Sequence, residues 1–397
     1  MSYNLISLKE SISNVNGFYC DGVNVGLRTD SSNGDVGFIR SDYPCDVSAV
    51  FTKNRFQAAP IVHFKKYPKN FQTNFLLVNA KNANAMTGER GIKDIEEIFS
   101  HLPKELDIKN PIMSSTGVIG VPLDKSKIIS SFEKFDFDAK NATNLAKSIM
   151  TTDSFEKEIC FRVELGTDEF FHIAAVCKGA GMINPAMATM LCFIATDANI
   201  PKEDMDELLI ESVDKSFNTI SVDGDTSTND TVILLANRAS KAYNKEAFKE
   251  ALNIIAKELS LMILKDGEGA NKVVAFEVKN AKSVEDAKKA SKNLSNSLLV
   301  KTALFGEDPN WGRIASTIGA SEIECDERHL QIYYDDLLIY SYDEPVLSKE
   351  KEEKATKIMK KSSFKITCDL GMGDKSFVSY GCDLSYDYVK INADYRT

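Results

Sequence analysis

Thr189 is the residue whose type and surroundings best suit nucleophilic chemistry. It follows a stretch of small residues at 179–181 and precedes an apolar run. Small residues let a backbone bend tightly and let another group approach it. The sequence has only four histidines, so the base beside this threonine could be its own α-amino group, with a pKa of about 8. That chemistry requires a cut between Ala188 and Thr189. The alternative is an ordinary structural threonine.

Two further segments could serve a reaction. Residues 114–120 contain two serines, a threonine and two glycines. Glycine lets consecutive backbone N–H groups point the same way, as an oxyanion hole requires, although a plain turn between strands gives the same pattern. Glu268 lies between Gly267 and Gly269 on a predicted loop. It could meet a substrate ammonium, or it could be a solvated turn carboxylate.

Other kinds of site are not indicated by the sequence. The histidines do not fall in a His-Glu-x-x-His or comparable spacing, so we expect no metal site. No Gly-x-Ser-x-Gly segment marks a serine hydrolase. Residues 371–376 lack the spacing of a phosphate loop. Cys192 stands in an apolar run and is predicted to belong to the core.

The elements that must position these residues mix strands with helices. Strands are predicted at 35–39, 47–52, 74–79, 111–120, 170–176, 231–236, 273–278, 364–370 and 389–393, and a hairpin at 330–342. Helices are predicted at 93–100, 138–150, 203–217, 245–265, 284–299 and 348–361. This mixture favours an α/β or α+β class. The pattern changes late in the chain, which predicts a main domain at 1–274 and a smaller α+β domain at 275–397.

Charge and composition exclude several classes of protein. The 48 Lys and Arg residues stand against 58 Asp and Glu, a net charge of −10, which argues against nucleic-acid binding through phosphate neutralisation. No apolar run is long enough to span a membrane. The eight cysteines are scattered, and no secretory signal is visible. We therefore expect buried thiols and a cytoplasmic location.

Segments along the whole chain match one known family in order. They are residues 49–52, 54–55, 58–60, 115–120, 149–153, 178–191, 223–231, 306, 308–314 and 392–397. Together they resemble the ornithine acetyltransferase family, whose activity is that of a glutamate N-acetyltransferase. The segment at 178–191 is similar to the self-cleavage region of that family. The sequence departs from the family pattern locally, at Lys81, Met86 and Ser114.

The resemblance implies a self-cut precursor. Cleavage between Ala188 and Thr189 would give an α chain of residues 1–188 and a β chain of residues 189–397. Thr189 would become the nucleophile, with its new α-amino group as the base. Thr116 and Gly117 would form the oxyanion hole.

The resemblance also implies the substrates and the surroundings of the nucleophile. The substrate pocket would be lined by Thr151, Lys178, Thr189, Glu268, Asn392 and Thr397. The family transfers acetyl from N2-acetyl-L-ornithine to L-glutamate through an acetyl-threonine ester. It uses no metal or organic cofactor, and acetyl-CoA is a substrate only in bifunctional members. We expect Lys178 to pair with the substrate α-carboxylate. Glu268 would face an ammonium, either that of the ornithine side chain or that of Thr189.

The family fold is a layered αββα-type sandwich with a smaller C-terminal α+β domain, commonly assembled as α2β2. The expected partners are therefore small-molecule substrates, not nucleic acid or a membrane. Two other functions stay open from the residues alone. One is a self-processing amidase or aminopeptidase that gives the acyl group to water. The other is a metabolite-binding protein that does no chemistry.

Overall fold

The computed structural model describes residues 3–29, 33–184 and 190–394. The strands of this part of the chain are β1 (Asn4–Leu8), β2 (Phe18–Val23), β3 (Val36–Phe51), β4 (Gln72–Asn79), β5 (Ile112–Ser115), β6 (Lys157–Gly166), β7 (Glu169–Lys178), β8 (Leu191–Thr196), β9 (Ile220–Ser221), β10 (Thr231–Ala236), β11 (Val273–Ala281), β12 (Gln331–Tyr334), β13 (Leu337–Tyr340), β14 (Ser363–Asp369) and β15 (Lys375–Cys382). The α-helices are α1 (Ala59–Phe64), α2 (Gly88–Ser100), α3 (Lys125–Ser130), α4 (Ala142–Ser148), α5 (Lys202–Lys215), α6 (Lys245–Lys265), α7 (Val284–Asn296), α8 (Leu298–Phe305), α9 (Trp311–Gly319), α10 (Lys349–Met359) and α11 (Tyr386–Asp394).

The long strand β3 joins the two halves of a nine-stranded sheet. Residues 36–41 pair with β2, residues 36–40 and 45–46 pair with β4, and residues 46–51 pair with β10. The register against β4 shifts between Arg40 and Cys45. The order of the sheet is β1-β6-β7-β8-β10-β3-β4-β5, with β2 on the first half of β3. One strand therefore supplies both sheet layers.

Side chains alternate between two buried faces in each half of this sheet, as strand geometry requires. Leu76 and Val78 of β4 share a buried cluster with Phe193 of β8 and Ile233 of β10. This cluster lies between the halves. The opposite face of β8 and β10 packs on α5 and α6, and the opposite face of β4 packs on α2. The order of layers is helix, sheet, sheet, helix, which confirms the expected αββα-type sandwich.

Helix α6 shows how the local sequence sets an element. The Asn244 side chain accepts the N–H of Ala247 and caps the helix, a contact that typically contributes about 1 kcal/mol. The apolar face is buried at helical spacing and comprises Phe248, Leu252, Ile255, Leu259 and Ile263. This spacing is what predicted a helix at 245–265, and the helix has those bounds.

A second sheet of six strands has the order β13-β12-β14-β11-β15-β9. Phe276 of β11 and Ile366 of β14 share a buried cluster with Leu294 of α7. Its edge strand β9 is Ile220–Ser221, whereas the other strands of this sheet start at Val273 or later. The sheet therefore includes one strand from the main domain that the sequence predicts. The division of the chain into domains at 274/275 stays a prediction.

Some expectations about elements were wrong. Residues 389–393 were expected to form a strand because Val389, Ile391 and Ala393 alternate with polar residues, but they belong to helix α11. Val389 is 63% exposed, so the alternation does not mark a buried face. Helix α4 begins at Ala142, not near 138, because the backbone just before it pairs with Cys20 of β2: the Cys20 N–H donates to the Ala139 carbonyl at 2.9 Å, and the Asn141 N–H donates to the Cys20 carbonyl at 2.8 Å.

The structure also bears on the cysteines and on the question of membrane-spanning helices. All eight cysteines are free, and seven of them, Cys192 included, are buried as expected. No helix among the described residues is long and apolar enough to cross a membrane.

Candidate active site

One cavity of about 220 Å³ brings together the described residues that the sequence had singled out. It is lined by Thr116, Gly117, Thr151, Lys178, Glu268 and Asn392, among others. The first and the last of these residues are more than 270 positions apart in the sequence. Ala188, Thr189 and Thr397 lie outside the described residues. The oxyanion segment, the lysine and the acid were identified separately, and the fold places them around one space.

The Thr116–Gly117 turn forms one wall of this cavity. It follows β5, and the Thr116 N–H donates to the Asn79 carbonyl at 3.0 Å. Gly117 has φ +131°, and a Cβ placed there would lie 2.2 Å from the Lys81 carbonyl carbon. Only glycine fits such a close approach of two backbones. Residues 79–82 therefore fix the Gly117 peptide unit, as a preorganised oxyanion donor requires.

Lys178 is a buried cation at the end of β7. Its side chain is 2% exposed, and its Nζ donates to the Thr151 hydroxyl at 2.7 Å. The same Nζ lies 3.4 Å from an Asp153 carboxylate oxygen. Strand pairing puts Lys178 opposite Leu191, two residues after Thr189. Thr151 and Asp153 thus hold the ammonium of Lys178. Lys178 also lines the cavity, close to the start of β8.

Asp153 links Lys178 to a second buried lysine. Its carboxylate lies 2.9 Å from Nζ of Lys157, which also pairs with Asp266 at 2.5 Å. The N–H groups of Thr151 and Gly179 donate to Asp153 at 2.9 and 2.6 Å. Burial raises the pKa of this carboxyl, but the two lysines and the two N–H groups outweigh it, so the pKa lies well below its usual range. The four charges balance and hold Lys178 in place.

Glu268 is the acid of the cavity, and it is 9% exposed. The Asn392 side chain donates to its Oε2 at 2.7 Å. A Cβ on Gly181 would lie 2.4 Å from the Glu268 carboxyl carbon, so that glycine makes room for the acid. The Glu268 N–H donates to the Ala180 carbonyl at 2.9 Å. Helix α11 and the 179–181 segment together orient this carboxylate.

The polar loop at 223–230 bonds to the described residues on both sides of the predicted cut. Asp223 accepts the N–H groups of Met182 and Ile183 at 2.7 and 2.8 Å. The Tyr388 hydroxyl donates to Asp223 at 3.3 Å. Burial raises the pKa of the Asp223 carboxyl, although these N–H donors lower it in part. The loop thereby anchors the chain just before residues 185–189.

The far end of the same loop anchors the chain after those residues. Asp230 is fully buried, and its Oδ1 accepts the Met190 N–H at 3.2 Å. Its neighbour Asn229 donates to the carbonyls of Ala83 and Ser115 at 2.6 and 2.8 Å. The loop is therefore bonded to both flanks of the predicted cut and to the residue before Thr116.

This arrangement can bind a small zwitterion beside an acyl-transfer centre. A buried ammonium suits a carboxylate, and a buried carboxylate suits an ammonium. Ala83 and Ile119 give the cavity apolar surface, which suits the methyl of a short acyl group. Among the described residues, no group of three His, Cys, Asp or Glu side chains could hold a metal ion.

The sequence had not assigned roles to several residues of the site. Asp153, Asp223 and Asp230 fall in matched segments, but nothing in the sequence shows that they are buried. A polar segment such as 223–230 reads as a solvated loop. The density of Asp, Asn, Ser and Thr between two apolar elements was the one available signal.

Comparisons with known proteins identify chains that are similar along nearly the whole sequence. The model of the ArgJ family matches residues 19–397. The arginine biosynthesis bifunctional protein ArgJ of Wolinella succinogenes is 53% identical over 396 residues, covering 100% of both chains. The glutamate N-acetyltransferase of Methanocaldococcus jannaschii is 42% identical over 379 residues, covering 91% of this chain and 94% of the relative.

A solved structure is also similar. It is the crystal structure of the arginine biosynthesis bifunctional protein ArgJ of Bacillus halodurans, which is 36% identical with a TM-score of 0.48. The match covers 51% of this chain and 98% of that chain.

Proposed function

The chain belongs to the ArgJ family, and we propose that it transfers acetyl from N2-acetyl-L-ornithine to L-glutamate. The products are L-ornithine and N-acetyl-L-glutamate. The observation that carries this proposal is one cavity with Thr116, Gly117, Lys178 and Glu268 in its walls. Such a cavity combines an oxyanion donor with groups for both ends of a zwitterionic amino acid.

The nucleophile in this proposal is Thr189, released by self-cleavage after Ala188. The hydroxyl of Thr189 attacks the Ala188 carbonyl, the Ala188–Thr189 C–N bond breaks, and the hydroxyl proton passes to the nitrogen. Water then hydrolyses the ester, which gives a carboxylate on Ala188 and leaves Thr189 with a free amine and a free hydroxyl. The tethers of Met182 and Met190 to the 223–230 loop support this step, because they fix the chain on both sides of the cut. Each chain carries part of the site.

Acetyl transfer then occurs in two halves. The α-amino group takes the proton of the Thr189 hydroxyl as Oγ bonds to the acetyl carbon of acetylornithine. The Gly117 N–H and the Thr116 hydroxyl stabilise the oxyanion, each donor typically contributing about 3–4 kcal/mol. The C–N bond breaks, and ornithine leaves with the proton.

Glutamate completes the cycle. Its amino group attacks the acetyl-threonine ester, and the ester C–O bond breaks. The proton of the attacking amine returns to the Thr189 oxygen through the α-amino group. The order of events predicts ping-pong kinetics, with ornithine released before glutamate reacts.

The ammonium of Lys178 would bind the α-carboxylate common to both amino acids. Glu268 would face an ammonium, either that of the ornithine side chain or that of Thr189. Asn392 and Thr397 would close the pocket from the C-terminal end. Thr151 would orient Lys178, since its hydroxyl accepts the hydrogen bond from Nζ.

The proposal also covers cofactors, a second acetyl donor, the location and assembly of the protein, and its domains. The reaction as written needs no metal and no organic cofactor. Acetyl-CoA is a second donor if this chain, like its relative named bifunctional, has two activities. We further propose a cytoplasmic α2β2 particle and a domain division at 274/275.

The deciding experiment separates transfer from hydrolysis. Purified protein is incubated with N2-acetyl-L-ornithine with and without L-glutamate, and ornithine, acetate and N-acetylglutamate are quantified by mass spectrometry. The proposal predicts that N-acetylglutamate appears in equal amount to ornithine and only with glutamate. Release of acetate at the same rate without glutamate would instead indicate an amidase. Absence of any product would favour a metabolite-binding protein. Replacing the donor with acetyl-CoA tests the second activity.

A further inference from the structure

Asn229 is a buried amide that the reaction described above does not use. It lies two residues before β10, is 5% exposed and borders the cavity. Its side-chain nitrogen donates to the Ala83 carbonyl at 2.6 Å and to the Ser115 carbonyl at 2.8 Å. Its side-chain oxygen accepts the Thr228 hydroxyl at 2.6 Å. Both amide hydrogens and the amide oxygen are therefore engaged, which fixes the orientation of the side chain.

The two carbonyls that Asn229 holds belong to the two segments that meet at the Thr116–Gly117 turn. Ser115 is the last residue of β5 and directly precedes the turn. Ala83 lies in the segment that follows β4, and its neighbour Asn82 forms backbone bridges on both sides of Gly117. One side chain thus ties together the two segments that form this wall of the cavity.

The peptide unit between Ser115 and Thr116 is held at both of its polar atoms. Its N–H donates to the Asn79 carbonyl at 3.0 Å, and its C=O accepts the hydrogen bond from Asn229. The Ser115 hydroxyl also donates to the Asn79 side chain at 2.7 Å. Because a peptide unit is planar, holding its two polar atoms fixes the plane of the unit.

The chain after the turn is held through Val118. The Val118 N–H donates to the Lys81 carbonyl at 3.2 Å, and the Val118 carbonyl accepts the Ala83 N–H at 2.9 Å. Ala83 is also the residue whose own carbonyl accepts from Asn229. The Gly117 N–H therefore lies between two anchored peptide units, and Asn229 contributes to both anchors.

We propose that Asn229 is a positioning residue of the oxyanion hole, clamping the segments on both sides of the Thr116–Gly117 turn. The proposal rests on the proposed function, because it concerns the donors of that reaction. Asn229 takes no proton and forms no bond to the substrate in this role. It holds the Gly117 N–H and the Thr116 hydroxyl in place before negative charge develops, so the donors need no reorganisation when the reaction occurs.

The test is the kinetics of processed Asn229→Asp. Aspartate has nearly the same shape, but it presents a carboxylate oxygen to two carbonyl oxygens in place of two N–H donors. The turn should then shift, and because a misplacement of about 1 Å can cost about 10²-fold in rate, we expect kcat to fall about 100-fold. Lys178 and Glu268 keep their own partners, so KM for acetylornithine and for glutamate should stay near the wild-type values.

Asn237→Asp is the matched control. Asn237 lies directly after β10 and is 6% exposed. Its side-chain nitrogen also donates twice, to the Asn16 carbonyl at 2.8 Å and to the Ser41 hydroxyl at 3.3 Å. Both variants should lose similar stability, and only Asn229→Asp should lose kcat. An unchanged kcat in processed Asn229→Asp, or an equal loss in both variants, would overturn the proposal.

A second measurement does not depend on processing. Each variant is placed in the Thr189→Ala background, which should keep every sample uncut, and amide hydrogen exchange of residues 112–118 is followed by mass spectrometry. Loss of the clamp should make this segment exchange about tenfold faster or more in Asn229→Asp, because local opening exposes its N–H groups. Asn237→Asp should leave the segment unchanged. Unchanged exchange in Asn229→Asp would overturn the proposal.

Wild-type protein in the same kinetic assay reports on the proposed function itself. If wild type releases acetate in place of N-acetylglutamate, the transfer reaction fails as a proposal, but the ratio of kcat values is then taken on acetate. A loss confined to Asn229→Asp would still support its role at the oxyanion hole. If wild type forms neither product, the proposed function and the role of Asn229 are both overturned.

Discussion

Replacing Asp153 with asparagine tests the buried charge network that holds Lys178. The side chain of Asp153 is 0% exposed, and its carboxylate lies 2.9 Å from Nζ of Lys157 and 3.4 Å from Nζ of Lys178. Asparagine leaves both lysines buried with only Asp266 as a counter-charge. Removing one partner of a buried ion pair typically costs about 3–5 kcal/mol, and we expect a loss of that size in the free energy of unfolding.

The assay is urea denaturation at pH 7, with Asp138→Asn as the control. Asp138 also pairs with an arginine, at 2.8 Å, but it is 83% exposed. Exposed pairs contribute about 0–1 kcal/mol, so the control should stay within that range. In parallel, KM for both substrates should rise in Asp153→Asn because Lys178 loses its orientation. A loss below about 1 kcal/mol would refute the description of this network as buried and paired.

The same network predicts how stability depends on pH. The folded pKa of Asp153 is depressed, so the unfolded chain binds more protons as the pH falls. Its contribution is complete above the unfolded pKa of about 3.9 and is lost as pH falls through the folded pKa. Wild-type protein should therefore lose stability between about pH 5 and pH 2 more steeply than Asp153→Asn. Equal slopes would contradict the assignment.

Three further predictions concern the cavity. Thr189→Ala should remain a single chain by mass spectrometry and lose acetyl transfer; activity in an uncut variant would rule out the amine as base. Lys178→Met should raise KM for both substrates at least tenfold, whereas Lys301→Met, which removes another fully buried lysine, should lower only the melting temperature. Gly117→Ala should reduce kcat by about 10²–10³, while Gly166→Ala, where a Cβ meets nothing within 4 Å and the backbone φ is not positive, should keep kcat near that of wild type.

The sequence predicted most accurately the elements whose apolar residues follow a clear pattern. The bounds of α6 and β10 agree with the expectation because apolar residues recur there at helical spacing or in a short uninterrupted run. The prediction of a strand at 389–393 was wrong because the alternation of apolar and polar residues there does not follow which side chains are buried. In α11 the alternating apolar residues Val389 and Ala393 are exposed and Ile391 is only half-buried, while Tyr388 and Asn392 reach Asp223 and Glu268.

The candidate site likewise contains residues that the sequence predicted and residues that it did not. Thr116, Gly117, Lys178 and Glu268 were predicted from their segments, and the fold places them around one cavity. The residues that hold them were not found, because Asp153 and Asp230 act through burial and through contacts with distant strands. A single sequence does not show which polar residues a sheet will enclose. Contacts between positions 115 and 229 arise only in the folded chain.

The central claim is that the chain becomes active by cutting itself at Thr189. Intact mass spectrometry of the purified protein, with amino-terminal sequencing of each fragment, tests it most directly. The account predicts two chains, residues 1–188 and residues 189–397, the second beginning with threonine. A single chain of 397 residues that transfers acetyl from acetylornithine to glutamate would contradict it.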